Sequence, residues 1–295
     1  MSVVLIGCTA SGPAPSKPVA LHKPAPVEKK VVKARVTNRK ANPMGTVLIL
    51  EYHIFGPKES RYVRSFANFR KDLEKLYAQG YRPVTISEYL NDRMDLAPGA
   101  SPVILSFDDS HITEFKMKPD GTIDPNCAVA VWKKFSDEHP DFPVKGSWYI
   151  LPPYPWWQKK FYKKKIEMLK EWGSDFGSHS WSHPNFGKLS DDAVREQLGK
   201  SFQWLHDEGI NSGVLCLPYG MKPKNKALMK GYAYEGKKYA LAATLMCGSQ
   251  PARAPKDPKR NVHRIPRVQV VELDYGMNYW LKLTQKGFVK PYVAP

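Results

Sequence analysis

The chain has 295 residues, 42% apolar and 12% aromatic, with a formal net charge of +17. That apolar content can build one large domain with its own core, which excludes a disordered or fibrous chain. The charge favours an anionic membrane or cell-wall surface over nucleic acid, because no nucleic-acid motif of recognised spacing accompanies it.

Residues 1–46 hold eight Lys or Arg against the single acid Glu28, a local +7 that leaves +10 for the rest. Within them "VVLIGCTASG" sets an apolar run before Cys8. It resembles a bacterial lipoprotein box, which implies a lipidated Cys8 and an envelope protein anchored outside the cytoplasm. Residues 1–8 are then the remnant of a lipoprotein signal. Residues 9–45, rich in Pro and Lys, form an extended tether, and one domain covers 46–295. The other cysteines, Cys127, Cys216 and Cys247, form no Cys-x-x-Cys pair, which argues against a zinc knuckle. No later segment reaches the roughly 18 apolar residues of a membrane span.

From Thr46 onward apolar runs alternate with helical patterns. "TVLILEYH" (46–53), "PVILSF" (102–107), "KGSWYIL" (145–151), "SDFGSH" (174–179) and "GVLCLPYG" (213–220) are predicted strands, as are "KYALAAT" (238–244) and "NVHRIPRVQV" (261–270). Helices are predicted over 66–80, 128–139, 161–173 and 190–209, the last with Ser190 as N-cap and Asp191 and Asp192 in its first turn. Short apolar strands separated by helices mean βα units and a parallel sheet, and six to eight units close into a barrel, regular or irregular. The Lys run from Lys159 to Lys165 reads as a solvated helix face.

Three stretches fall where strands give out. They are Ser106-Phe107-Asp108-Asp109-Ser110, "SHSWSH" with His179 and His183, and "LPYG" (217–220). Two His four apart can aim at one centre, and one carboxylate completes a three-ligand divalent site with open positions. Such an ion polarises a water and a carbonyl, and an adjacent carboxylate can take the water's proton. Zinc suits the set, with cobalt or nickel as substitutes, and Fe(II) in an oxygenase is a competing reading. Taken singly, the Asp pair could cap a helix, the His pair could be solvated, and "PYG" could be an ordinary turn.

Together, in this order, the three stretches resemble the motifs of the polysaccharide deacetylases, carbohydrate esterase family 4, over roughly residues 46–270. The resemblance implies a distorted (β/α) barrel of about seven parallel strands in a single catalytic domain. It implies hydrolysis of N-acetyl groups on N-acetylglucosamine-containing polysaccharide, with release of acetate. Asp108 would be the general base; Asp109, His179 and His183 would hold the metal; the Tyr219 N–H would stabilise the oxyanion. Departures are Ser110 for the first motif's Gly and Cys216 for the third motif's Arg, with Arg264 or Arg267 as possible charge partners of the base. No Leu-x-His motif stands near the C-terminus; "LILEYHIF" instead opens the domain. This looks like the circularly permuted poly-N-acetylglucosamine deacetylase branch, which points to His53 as the acid, with His263 competing and His111 turned to a loop. Cys216 reads as a buried apolar filler. Pro218, Trp156, Trp157 and Trp181 are candidate sugar contacts, and the insertion 110–128 a candidate cleft wall. The chain is expected to be monomeric. A sugar-binding protein without turnover, or a small-molecule amidase, are the alternatives on the same fold.

Overall fold

The computed structural model describes residues 36–248 and 250–295; Cys8 and most of the expected tether lie outside them. The end of that tether is built into the body. Thr37 Oγ1 donates to the Gly99 carbonyl at 2.6 Å, and Asn42 bridges Val293.

The strands are β1 (Leu48–Tyr52), β2 (Ile54–Phe55), β3 (Val63–Arg64), β4 (Tyr81–Pro83), β5 (Ser101–Phe107) and β6 (Ser147–Ile150). They continue as β7 (Asp175–Ser178), β8 (Val214–Cys216), β9 (Gly231–Tyr234), β10 (Lys237–Ala240), β11 (Ala243–Leu245) and β12 (Val268–Gln269). The helices are α1 (Phe66–Ala78), α2 (Ile86–Leu90), α3 (Ala128–Glu138), α4 (Tyr162–Glu171), α5 (Asp191–Asp207) and α6 (Met277–Gln285). Local chemistry sets their ends. Ser65 and Ser190 each accept from the backbone three residues on, and Thr85 with Glu88 forms a capping box. Gly80 (φ 75°) and Gly209 (φ 65°) supply the left-handed turns after α1 and α5.

The main sheet is parallel and runs β11-β8-β7-β6-β5-β1-β12, with β4 joined to the first half of β5. It curls so far that one segment touches both of its edges. Ile265 bridges Leu245 of β11, and three residues later Val268 pairs with Leu50 of β1. This is the distorted α/β barrel the sequence implied.

Two predicted strands resolve differently. Residues 238–244 are shared between the antiparallel β9–β10 hairpin and β11, with the break at Leu241–Ala242. Residues 261–270 hold a 3₁₀ turn (Val262–Arg264) and only two strand residues. Pro266, without an N–H, stands between them.

Strand alternation sorts the core into two sets. Leu48, Leu50, Tyr52, Val103, Leu105 and Phe107 face the helices, while Val47, Ile49, Ile104, Tyr149, Cys216, Leu245 and Ile265 pack into the barrel. Carrying the inward parity to the C-terminal strand ends brings Glu51, Ser106, Asp108 and Arg267 inside, all buried. The barrel is thus apolar along its length and charged at one mouth.

Candidate active site

The two carboxylates of the opening motif part company because the backbone turns over between them. Asp108 ends β5 with its amide on the Tyr52 carbonyl (3.0 Å), pointing inward. Asp109 (φ 69°) and Ser110 (φ 44°) are left-handed, so Asp109 swings outward. Ser110 Oγ accepts from the Leu151 amide at 2.8 Å and ties the end of β5 to that of β6. Seven of the ten left-handed non-glycine residues among those described, Asp109, Ser110, Trp156, Trp157, Ser180, His183 and Tyr219, lie in loops at this end of the barrel. Strain concentrated in this way marks a functional surface.

Asp108 is fully buried. Arg267 grips it bidentately (Nη1 to Oδ1 2.8 Å, Nη2 to Oδ2 2.7 Å) while reaching Ser106 Oγ (3.0 Å) and lying 3.1 Å from Glu51 Oε2. Burial alone would raise the Asp108 pKa. The Arg267 charge, then His179, the Arg267 hydrogen bonds and His53, outweigh it and hold the group below the usual carboxylate range. Arg267 is therefore the charge partner of Asp108. Arg264 is exposed and, among the described residues, forms no ion pair. Cys216 packs its thiol against the same carboxylate (3.4 and 3.5 Å), and burial pushes its pKa up, so it stays a neutral thiol.

On the outer side, Asp109 Oδ1 lies 3.3 Å from Nε2 of both His179 and His183. A serine relay places the histidines. Ser178 Oγ bonds Ser201 Oγ and accepts from the Ser180 amide, and Ser180 Oγ accepts from the His183 amide at 2.9 Å. His179 Nδ1 is 3.0 Å from the Cys216 carbonyl and so must be the protonated nitrogen. Its Nε2 lone pair then faces the Asp109 carboxylate, and both atoms are buried without a hydrogen-bond partner. Two lone-pair groups held face to face require a cation, or a proton, between them. Donors about 3.4 Å apart are what two bonds of about 2.1 Å around a tetrahedral ion subtend. The Asp109–His179–His183 set thus fits a divalent ion. Two other groupings, Asp108–His179–Cys216 and Glu51–His53–Asp108, are less suited, because the Arg267 guanidinium already occupies their charge.

His53 ends β1 with Nε2 3.7 Å from both Asp108 Oδ2 and Glu51 Oε1. His263 makes no bond or ion pair with this cluster. His111 bonds Thr113 and serves its own loop. Tyr219 (φ 57°) stacks edge-on against His183 at 4.5 Å and is 60% exposed. Trp157, 61% exposed, meets His111 at 4.3 Å; Tyr62, 45% exposed, meets His53 at 5.0 Å. Trp156 is fully buried against Phe115 and Trp148, so it is core and not a sugar contact. Pro218 is also buried, and Trp181 is half-buried.

The sequence reading missed Glu51, Ser106, Tyr62 and Glu114. Glu51 and Ser106 were visible in principle, as polar residues at inward parity in otherwise apolar strands. Lys159, Lys160, Lys163 and Lys164 are exposed, as the solvated-face expectation for 159–165 has it, but Lys165 departs from it. It is buried, donates to the Phe115 carbonyl (2.6 Å) and Gln158 Oε1 (2.7 Å), and burial lowers its pKa to about 7.

The polysaccharide deacetylase family model matches residues 97–236. No curated protein matches the chain in sequence. Among solved structures, a Streptococcus pyogenes deacetylase, PplD, in complex with acetate aligns at 16% identity and TM-score 0.60, covering 81% of this chain and 98% of that one. BC0361, a polysaccharide deacetylase from Bacillus cereus, aligns at 17% identity and TM-score 0.58, covering 81% and 69%. IcaB from Ammonifex degensii aligns at 17% identity and TM-score 0.56, covering 82% and 97%. At these identities the likeness is one of fold, and it agrees with the motif match. Together the match over residues 97–236 and the shared fold agree with the resemblance of the three motifs to those of the polysaccharide deacetylases.

Proposed function

We propose that the protein is a metal-dependent hydrolase that removes N-acetyl groups from N-acetylglucosamine-containing polysaccharide and releases acetate. The observation that carries this is the split of the Asp pair. One carboxylate faces two imidazoles across a cation-sized gap, and its neighbour is held ionised by Arg267. Asp109, His179 and His183 would hold the ion, with zinc the metal expected of this donor set. When bound, that ion supplies Lewis acidity toward a water and the acetamide oxygen.

The chain's own groups do the rest. Asp108 takes the proton of the attacking water, and Arg267 fixes the carboxylate's orientation for that transfer. The Tyr219 N–H, which has no acceptor among the described residues, donates to the oxygen that gains charge. His53, whose Nε2 stands 3.7 Å from the Asp108 oxygen that Arg267 Nη2 also holds, delivers a proton to the departing amine. Trp157 and Tyr62 offer exposed faces on which sugar rings can stack.

The lipidated, tethered N-terminus remains part of the proposal and would hold the enzyme at the cell envelope as a monomer. Acetate release from N-acetylglucosamine oligomers, with and without added zinc, tests the reading. Release that depends on metal and is lost in Asp108→Asn supports it; no release with any divalent ion from any such polymer overturns it.

A further inference from the structure

Lys165, on α4, is the only fully buried lysine among the described residues. A methionine would fill that volume without desolvating an amine, so the amine must be matched where it sits. Its Nζ donates to the Phe115 carbonyl (2.6 Å) and to Gln158 Oε1 (2.7 Å), and lies 5.5 Å and 5.7 Å from the ring centres of Phe115 and Trp156. Both bonds need only N–H donors, which the amine supplies with or without its charge. Gln158 is itself fastened. It accepts from the Met117 amide at 2.9 Å and donates to the Met117 carbonyl at 2.8 Å. One buried amine thus ties together three separate pieces of chain: α4, the insertion 110–128 and the turn 155–158.

That turn holds unusual backbone. Trp156 (φ 49°) and Trp157 (φ 52°) are consecutive left-handed residues with bulky side chains. Such backbone persists only where its surroundings impose it. The turn sends its two rings opposite ways. Trp156 is fully buried against Phe115 and Trp148, while Trp157 stands 61% exposed with its ring edge-on to His111 at 4.3 Å. His111 lies two residues after Asp109. The latch therefore fixes both sides of the Trp157–His111 contact. Gln158 adjoins Trp157 in the chain, and Phe115 and Met117 follow His111 in the insertion.

We infer that Lys165 and Gln158 are positioning residues for glycan binding: their buried latch sets Trp157 beside the Asp109–His179–His183 set as the platform on which a sugar ring stacks. The inference rests on the deacetylase reading and deepens it. The latch governs how tightly the strand is held, and Asp108 with the metal governs turnover.

The test uses the full chain, supplemented with zinc, and an N-acetylglucosamine oligomer. Lys165→Met keeps the volume and cuts both bonds; Gln158→Leu cuts the latch from the other side. Each should raise KM for acetate release about tenfold, as loss of one stacked ring would, with kcat held within about twofold. Trp157→Ala should raise KM as much, and Lys165→Met/Trp157→Ala no further, because the amine acts through that ring. Circular dichroism checks folding, and Gln158→Leu carries the test if Lys165→Met does not fold. Losses in kcat that match those in KM, additive effects in the double variant, or a lowered Tm with KM unchanged overturn the inference. Absence of acetate from any such oligomer refutes the deacetylase reading separately. Calorimetric binding of the oligomer then decides the platform: weaker binding by Lys165→Met supports it, and equal binding, or none by the parent, overturns it.

Discussion

At the scale of single residues, adjacent carboxylates hold opposite positions because one left-handed backbone turn lies between them. Asp108→Asn keeps the Asp109–His179–His183 set and removes the base. Acetate release should fall by about 10²–10⁴-fold, while bound metal, read by elemental analysis, stays stoichiometric. Asp109→Ala or His179→Ala should lose the metal and the activity together. Glu114 offers a test independent of turnover. It is fully buried, neither oxygen has a partner, and burial, then Asp109, holds its pKa well above the ordinary glutamate value. Below the unfolded pKa of about 4.5 the group is neutral in both states; as pH rises beyond it, the unfolded chain ionises first and stability falls. Lys165 does not enter this window, since its contribution is already lost below about 7. Glu114→Gln should therefore match the parent in Tm near pH 4 and exceed it by several degrees at pH 7, in thermal scans across pH. An unchanged difference between the two pH values would mean that Glu114 is not held neutral.

At the scale of elements, the shortest strand of the main sheet adjoins its most demanding side chain. β12 has two residues, yet Arg267, just before it, is the counter-charge for both Glu51 and Asp108. Removing one partner of a buried ionic group leaves the others uncompensated, at about 3–5 kcal/mol. Arg267→Met should lower Tm by about 10 °C. It should also raise the pKa of Asp108, shifting the acidic limb of the pH–rate profile upward. Asp108→Asn combined with Arg267→Met should be less destabilised than the sum of the single variants, a positive coupling readable in a double-mutant cycle. α1 is anchored in the same manner, Asp72 accepting from Arg64 Nε at 2.8 Å beneath Tyr52.

At the scale of the whole molecule, the barrel is held by its two apolar cores and by the closing segment 265–269, not by the proposed metal donors, which ride on loops at one mouth. Chelation should abolish acetate release while leaving the far-ultraviolet circular dichroism unchanged, and zinc should restore activity. Chelation should also lower Tm by a few degrees, as the loss of a native-state ligand requires. Unfolding on chelation would show that the ion holds the barrel together.

The βα alternation, the strand that ends in Asp-Asp and the His pair could be read from residues alone, because periodicity and turn chemistry are local. Local pattern also misled where it met a tertiary demand. Lys165 and Trp156 carry polar or exposed-looking signatures, yet both are buried by the 110–128 insertion and its neighbours. The order of the motifs pointed to His53 while leaving His263 in competition, and it left the choice between Arg267 and Arg264 open. Each choice depends on which strand ends curl to within 4 Å of Asp108. The sequence by itself determined the elements and the chemistry available to the site. Only the closing of the sheet decided which charges meet, because distance between strand ends is a property of the barrel and not of any stretch of residues.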